Sequence, residues 1–187
     1  YVEDREGPES CNTNNMLKLT EGLFRMSPEA RYADFYERAM YNHILSTQHP
    51  VHGGYVYFTS ARPAHYRVYS APNSAMWCCV GTGMENHGKY GEFIYTHDGD
   101  DLYVNLFVAS RLDWKEKGIT LIQETNFPDE ENIRLTVRVK SNRKARLFIR
   151  HPWWSKAGEM KAVCKGKDYA AASQPSGYIV IDRKWKD

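Results

Sequence analysis

Cys78 and Cys79 are adjacent in this chain, and a second short cluster, Glu9-Ser10-Cys11, lies far upstream of them. Neighbouring cysteines bridge each other only with severe strain, so the pair calls for another partner. One solution is a single metal ion gathered from two distant segments. Thiolates select Zn²⁺ among the divalent ions, and a carboxylate can complete its four-ligand shell. Two blander readings stand beside it: a disulfide from Cys11 to one member of the pair, or burial as inert core thiols. The spacing is not that of a zinc finger, which would show two C-x-x-C or H-x-H pairs. The fourth cysteine, in Ala162-Val163-Cys164, fits a core position, and no role is assigned to it.

Charge and hydropathy exclude several partners. The net charge is +2, with acids and bases interspersed. The densest basic stretch, Arg138 to Arg150, alternates with Val, Leu, Phe and Ile like the outer face of a strand, so no nucleic-acid partner is expected. No apolar run approaches the length of a transmembrane helix. No leader peptide is expected within these residues, and the first residue is Tyr1 rather than an initiator Met. The expectation is a piece of a larger protein that is periplasmic or secreted.

The first 50 residues read as helical. Asn12-Thr13-Asn14 offers capping side chains, and Met16, Leu17, Leu19, Leu23 and Phe24 an apolar face. Ser27-Pro28-Glu29 restarts a helix with an N-cap hydroxyl and an early proline. Tyr32, Phe35, Tyr36, Ala39, Met40, His43 and Ile44 then follow helical spacing. Two such helices joined briefly predict an antiparallel pair, closed by His49-Pro50. Residues 54–59 and 65–69 are predicted strands. Consecutive strand residues face opposite sides, so Cys78 and Cys79 can share one ion only if the backbone bends, which Gly81 and Gly83 allow. Met84 to Tyr95 is a predicted helix.

Beyond Asp98-Gly99-Asp100 the pattern is β. Predicted strands cover 102–108, 119–125, 133–139, 145–150 and 178–181, several alternating apolar and basic residues with period two. The fold class expected is mixed α and β. A mainly helical part, residues 1–98, precedes an antiparallel β-sandwich, residues 99–187.

Three segments carry a resemblance to a known family. Glu9-Ser-Cys-Asn-Thr-Asn-Asn-Met-Leu-Lys-Leu19, Glu37-Arg-Ala-Met-Tyr-Asn42 and Trp77-Cys-Cys-Val-Gly-Thr-Gly-Met-Glu-Asn-His87 resemble the β-L-arabinofuranosidases of glycoside hydrolase families 127 and 146, nearest the family 146 type of gut Bacteroidetes. The resemblance implies that residues 1–98 are the end of an (α/α)₆ toroid and residues 99–187 the following sandwich. It implies one Zn²⁺ on Glu9, Cys11, Cys78 and Cys79, with Cys78 as the nucleophile. Glu37 and Tyr57 match positions expected to touch the sugar. The substrate implied is an arabinose-containing oligo- or polysaccharide.

The implied chemistry is physically coherent. A retaining glycosidase normally uses two carboxylates about 5–5.5 Å apart, and here a thiolate would replace one. A free thiol, with a pKa near 8.5, is mostly protonated at neutral pH, whereas a coordinating thiol is deprotonated outright. The general acid/base implied by the resemblance is a Glu upstream of the E-x-C motif, before Tyr1. Glu85 is the internal candidate for that role. A chain with only part of the toroid is expected to be inactive by itself.

Other residues have competing readings. Glu37 could be an exposed helix carboxylate, and Tyr57 could be strand packing. His43 reads as a core histidine. His87 is either an orienting group near the cysteine pair or a surface residue. Trp153-Trp154 reads as a sandwich edge or domain interface more readily than as a sugar platform. A different functional class also fits: a structural zinc clip joining the helical part to a carbohydrate-binding sandwich, with no catalysis.

Overall fold

Helix α1, Ser10–Met26, begins earlier than the predicted cap, with Glu9 extended at its N-cap position (φ −80°, ψ 135°). The computed structural model describes residues 6–169 and 173–186. The buried side of α1 is Ser10, Asn14, Leu17, Thr20 and Phe24, whereas Met16, Leu19 and Leu23 of the predicted apolar face are exposed. Hydroxyls can go inward here because they find acceptors: Ser10 Oγ donates to the Val56 carbonyl at 3.4 Å and Thr20 Oγ1 to the Met16 carbonyl at 2.7 Å. Apolar content alone therefore misjudges which face of this helix is covered.

Helix α2, Ala30–Asn42, starts after the Ser27-Pro28-Glu29 restart. A 3₁₀ turn, Ile44–Thr47, follows. The principal helical partner of α1 is α3, Cys78–Gly88, rather than the predicted partner α2, and the 3₁₀ turn packs on both α1 and α3. A stripe of apolar residues marks a face but not its partner. The long segment from 48 to 77 brings the chain back so that α3 meets α1. That segment holds no extended strand where residues 54–59 and 65–69 were expected. Its pairings are the isolated bridges Glu9↔Phe58, Gln48↔Tyr55 and Val56↔Tyr69, because successive residues face different neighbours.

The chain divides into two compact units, one ending at Gly91 and the other beginning at Glu92, with Glu29–Arg31 grouped with the second. Nine strands follow α3 among the described residues: β1 Tyr95–Asp98, β2 Asp101–Val104, β3 Ser110–Trp114, β4 Ile119–Thr125, β5 Ile133–Val139, β6 Arg143–His151, β7 Val163–Cys164, β8 Lys167–Asp168 and β9 Gly177–Trp185. They form a sheet β1-β2-β6-β9, a sheet β3-β4-β5 and the small hairpin β7-β8. Side chains from both larger sheets meet in one apolar cluster that includes Leu102, Trp114, Leu121, Val139, Leu147 and Ile181.

One feature departs from the antiparallel expectation: β2 and β6 run parallel. A parallel pair needs a crossover connection, and here the whole β3-β4-β5 sheet supplies it. Asp101 and Arg146 stand opposite each other in that pair and are joined by two hydrogen bonds of 2.5 Å. The alternation in β6 holds for Ala145, Leu147 and Ile149, which are buried, but fails at Arg150, which is fully buried rather than outward. Arg150 Nε donates to the Asn105 carbonyl at 2.6 Å, and its guanidinium lies 5.2 Å from the centre of the Phe107 ring. A guanidinium so engaged can be buried where a bare cation could not.

Candidate metal and active site

The first element of the site is a short antiparallel contact. The Thr59 amide donates to the Pro8 carbonyl at 3.0 Å, and the Ser10 amide to the Tyr57 carbonyl at 3.1 Å. This bridge sets Glu9 and the start of α1 against the segment carrying Tyr57. Gly7 makes it possible. Its φ is +72°, and a Cβ there would stand 2.4 Å from the Thr59 carbonyl oxygen. Only glycine takes that conformation and that close approach without strain.

The second element is α3. The cysteine pair was expected in a bend ahead of a later helix, yet Cys78 and Cys79 are themselves the first two residues of the helix. Successive helical side chains diverge by only about 100° rather than the roughly 180° of a strand, so both thiols can face one point. The first helical turn also presents the positive end of the helix dipole, which favours thiolate.

Glu9, Cys11, Cys78 and Cys79 come together with their donor atoms all within 4.8 Å of one another. Cys11 Sγ is 3.3 Å from Cys79 Sγ, and Cys78 Sγ is 3.9 Å from Cys79 Sγ. Glu9 Oε1 is 3.9 Å from Cys78 Sγ and 4.0 Å from Cys79 Sγ. These separations fit the donor set for zinc, since sulfurs about 2.3 Å from a tetrahedral ion stand roughly 3.8 Å apart. They also answer the disulfide alternative: all four cysteines are free thiols, and 3.3 Å is far beyond an S–S bond of about 2.05 Å. The inert-core reading fails for Cys78, which is exposed, while Cys79 is fully buried.

The thiols are electrostatically unequal. Cys78 is held below the ordinary thiol value, chiefly by hydrogen bonds from Cys11 and Tyr57 and less by Cys79, with burial and the Glu9 charge opposing. Cys11 is pushed up to about 12, first by burial, against a lowering hydrogen bond from Thr82. Tyr57 is likewise pushed up to about 12, first by its hydrogen bond to Cys78. A phenol at that value is a firm donor at any ordinary pH. The exposed Cys78 is thus the member of the cluster best disposed to carry negative charge.

The remaining candidates divide. Tyr57 does lie at the cluster, in contact with Cys78. Glu37 is buried within α2, not an exposed helix carboxylate, and it does not belong to the group of four donors. Glu85 is unsuited to be a general acid: Lys18 and Lys89 hold its carboxylate at 2.7 and 2.9 Å and lower its pKa. His87 bonds no member of the cluster. Its Nδ1 meets Tyr90 Oη, its Nε2 is 3.5 Å from Thr47 Oγ1, and its ring stacks on Tyr55. His43 is buried as expected, with Nδ1 2.8 Å from Thr13 Oγ1. Trp154 stacks on Phe127 with ring centres 5.7 Å apart. Cys164 accepts a hydrogen bond from Arg183 at 2.9 Å.

Sequence reasoning missed Thr82, whose Oγ1 lies 3.0 Å from Cys11 Sγ. A signal was present, since residue 82 is one helical turn beyond Cys78 and returns to the same face. Using it required knowing that the helix begins at the cysteine pair.

Two family descriptions match the chain: the catalytic domain of the glycoside hydrolase family 127 β-L-arabinofuranosidases over residues 2–92, and the middle domain of the same enzymes over residues 101–187. A curated relative, the non-reducing end β-L-arabinofuranosidase of Bifidobacterium longum subsp. longum, is 22% identical over 191 residues, covering 92% of this chain and 28% of the relative. A solved glycoside hydrolase superposes with a TM-score of 0.80 at 24% identity, over 95% of this chain and 31% of that one. A family 127 β-L-arabinofuranosidase from Geobacillus stearothermophilus T6 does so with a TM-score of 0.77 at 23% identity, over 95% of this chain and 30% of that one. The structural likenesses show a common fold. The chain spans less than a third of the length of these relatives.

Proposed function

Because this chain belongs to the glycoside hydrolase family 127 β-L-arabinofuranosidases, we propose that it carries the nucleophile side of a retaining glycosidase that releases β-L-arabinofuranosyl units from plant glycans. In this reading residues 1–98 are the C-terminal part of an (α/α)₆ toroid and residues 99–187 form the β-sandwich that follows it in sequence. Glu9, Cys11, Cys78 and Cys79 hold one Zn²⁺, and Cys78 is the nucleophile. The observation that carries the reading is the inequality within the cluster: Cys79 is fully buried, while Cys78 is exposed at the helix N-terminus and receives the Tyr57 hydrogen bond. A bound Zn²⁺ would keep the thiols deprotonated and the site fixed.

Cys78 Sγ attacks the anomeric carbon while the glycosidic C–O bond breaks, and the leaving oxygen takes a proton from a general acid. Water then attacks the same carbon, its proton passes to that group as base, and the C–S bond breaks to return Cys78 to thiolate. The acid/base is the upstream Glu implied by the family resemblance. Tyr57, beside Cys78, donates to the departing thiolate and contacts the sugar. Glu37 is assigned to sugar contact through its place in the E-R-A-x-Y-N helix. The partner is an arabinose-containing oligo- or polysaccharide. Among the described residues no helix is long and apolar enough to cross a membrane.

A second reading has one observation in its favour: four donors already make a closed shell, as structural zinc sites prefer. One experiment separates them. The full-length protein and its Cys78→Ser variant are assayed for metal content and for hydrolysis of p-nitrophenyl β-L-arabinofuranoside. One zinc per chain, turnover by the unmodified protein and loss of turnover in the variant support the enzyme reading. Zinc without hydrolysis of any furanoside supports the structural clip. Absence of zinc, with Cys11 oxidised onto the pair, sinks both.

A further inference from the structure

Thr82 lies half-buried on α3, and its hydroxyl oxygen is 3.0 Å from Cys11 Sγ. Cys11 Sγ in turn is 3.3 Å from Cys79 Sγ. A hydroxyl can donate or accept, but a thiolate has no proton to give. Once Cys11 serves as a metal ligand, Thr82 must be the donor of this bond.

We propose that Thr82 is a positioning residue of the zinc–thiolate site, donating a hydrogen bond to the Cys11 thiolate that orients this ligand and spreads its charge. The inference rests on the metal reading above. Its physical basis is the charge of the donor set. Three thiolates and a carboxylate outweigh the two positive charges of the ion, so a bond that spreads the charge of one sulfur stabilises the whole set. Groups that hydrogen-bond metal ligands set ligand direction and basicity, and losing one costs about 10- to 100-fold in metal affinity. Cys11 and Thr82 also belong to different helices, α1 and α3, so the bond ties both metal-binding segments together at the ion.

The test uses full-length protein with Thr82→Val, Thr82→Ala and Thr82→Ser. Zinc affinity is read by chelator competition, and thiolate-to-metal charge-transfer absorption after Co²⁺ substitution. Thermal melting of the metal-bound protein checks the fold. Thr82→Val and Thr82→Ala are expected to lose about 10- to 100-fold in affinity and to shift the charge-transfer band, while Thr82→Ser keeps both. Affinity and spectrum unchanged in both hydroxyl-free variants overturn the proposal. Neither readout depends on turnover, so a protein that binds metal without hydrolysing furanosides leaves this inference standing. An unmodified protein that binds neither Zn²⁺ nor Co²⁺ overturns it together with the metal reading.

Discussion

The ring of Tyr55 occupies the space that a side chain at position 83 would need: a Cβ built on Gly83 stands 2.4 Å from Tyr55 Cδ1 and 2.5 Å from Cγ. The same ring stacks on His87 of α3 at 5.8 Å. Tyr55 thus seats helix α3 against the segment that also presents Tyr57. The position of Cys78 and Cys79 follows from where this helix lies. Gly83→Ala forces either the ring or the helix to move. It should destabilise the protein by about 1–3 kcal/mol and weaken zinc binding as well. Urea unfolding together with chelator competition checks both. Unchanged metal affinity in a destabilised variant would show that the seat of the helix does not control the cluster.

Gly7 acts from the other side of the site. Its positive φ and its approach to the Thr59 carbonyl admit no side chain without strain. Gly7→Ala should cost about 1–3 kcal/mol and should loosen the Glu9↔Phe58 bridge. Glu9 then loses its fixed approach to the cysteines, so metal affinity falls while the helix content measured by circular dichroism stays nearly constant. A Gly7→Ala protein with wild-type affinity would locate the control of Glu9 elsewhere.

Glu85 separates the two places a catalytic carboxylate could lie. Its ion pairs with Lys18 and Lys89 are partly exposed, and such pairs contribute at most about 1 kcal/mol each. Glu85→Gln should therefore leave kcat within about twofold and reduce stability only slightly. A loss of activity of several orders of magnitude, of the kind general-acid removal causes, would return Glu85 to the reaction.

His43 makes stability depend on pH. Burial, and then the nearby Arg67 guanidinium, lower its pKa from the ordinary 6.5. Its Nε2 is buried without a hydrogen-bond partner, so protonation would strand a charge. The unfolded chain therefore takes up this proton first. The stability that neutral His43 provides is complete above about pH 6.5 and declines as the pH falls from there through the lower folded value. Denaturant midpoints measured from pH 7.5 down to about 5 should fall, and His43→Gln should flatten the slope. An equal slope in the variant would assign the effect to other groups.

How much of this was legible in the chain differs by element. Strands β4 and β5 match their predicted spans because their side chains alternate between a buried cluster and solvent, a pattern the residues display locally. Strand β3 was missed, as its Ser110-Arg-Leu-Asp-Trp114 sequence is mostly polar and is held by its pairing to β4. The short β7-β8 hairpin was missed because two-residue strands have no period to detect. The parallel register of β2 on β6 depends on a crossover, which no local pattern records.

Side-chain identity alone sets the chemistry available: three soft thiol donors and a carboxylate in two clusters, in a chain whose motifs resemble one glycosidase family. Donor type is a property of each side chain and needs no fold to be read. The three-dimensional packing settles which of them meet and on what terms. It starts α3 at Cys78, so that both thiols of the pair turn to one side. It buries Cys79 and exposes Cys78. It brings Thr82 to Cys11 and Tyr57 to Cys78, and it takes Glu85 away into a pair of lysines. Those outcomes depend on distances between residues far apart in the chain. Such distances follow from helix packing and from the close approaches at Gly7 and Gly83, not from composition or spacing.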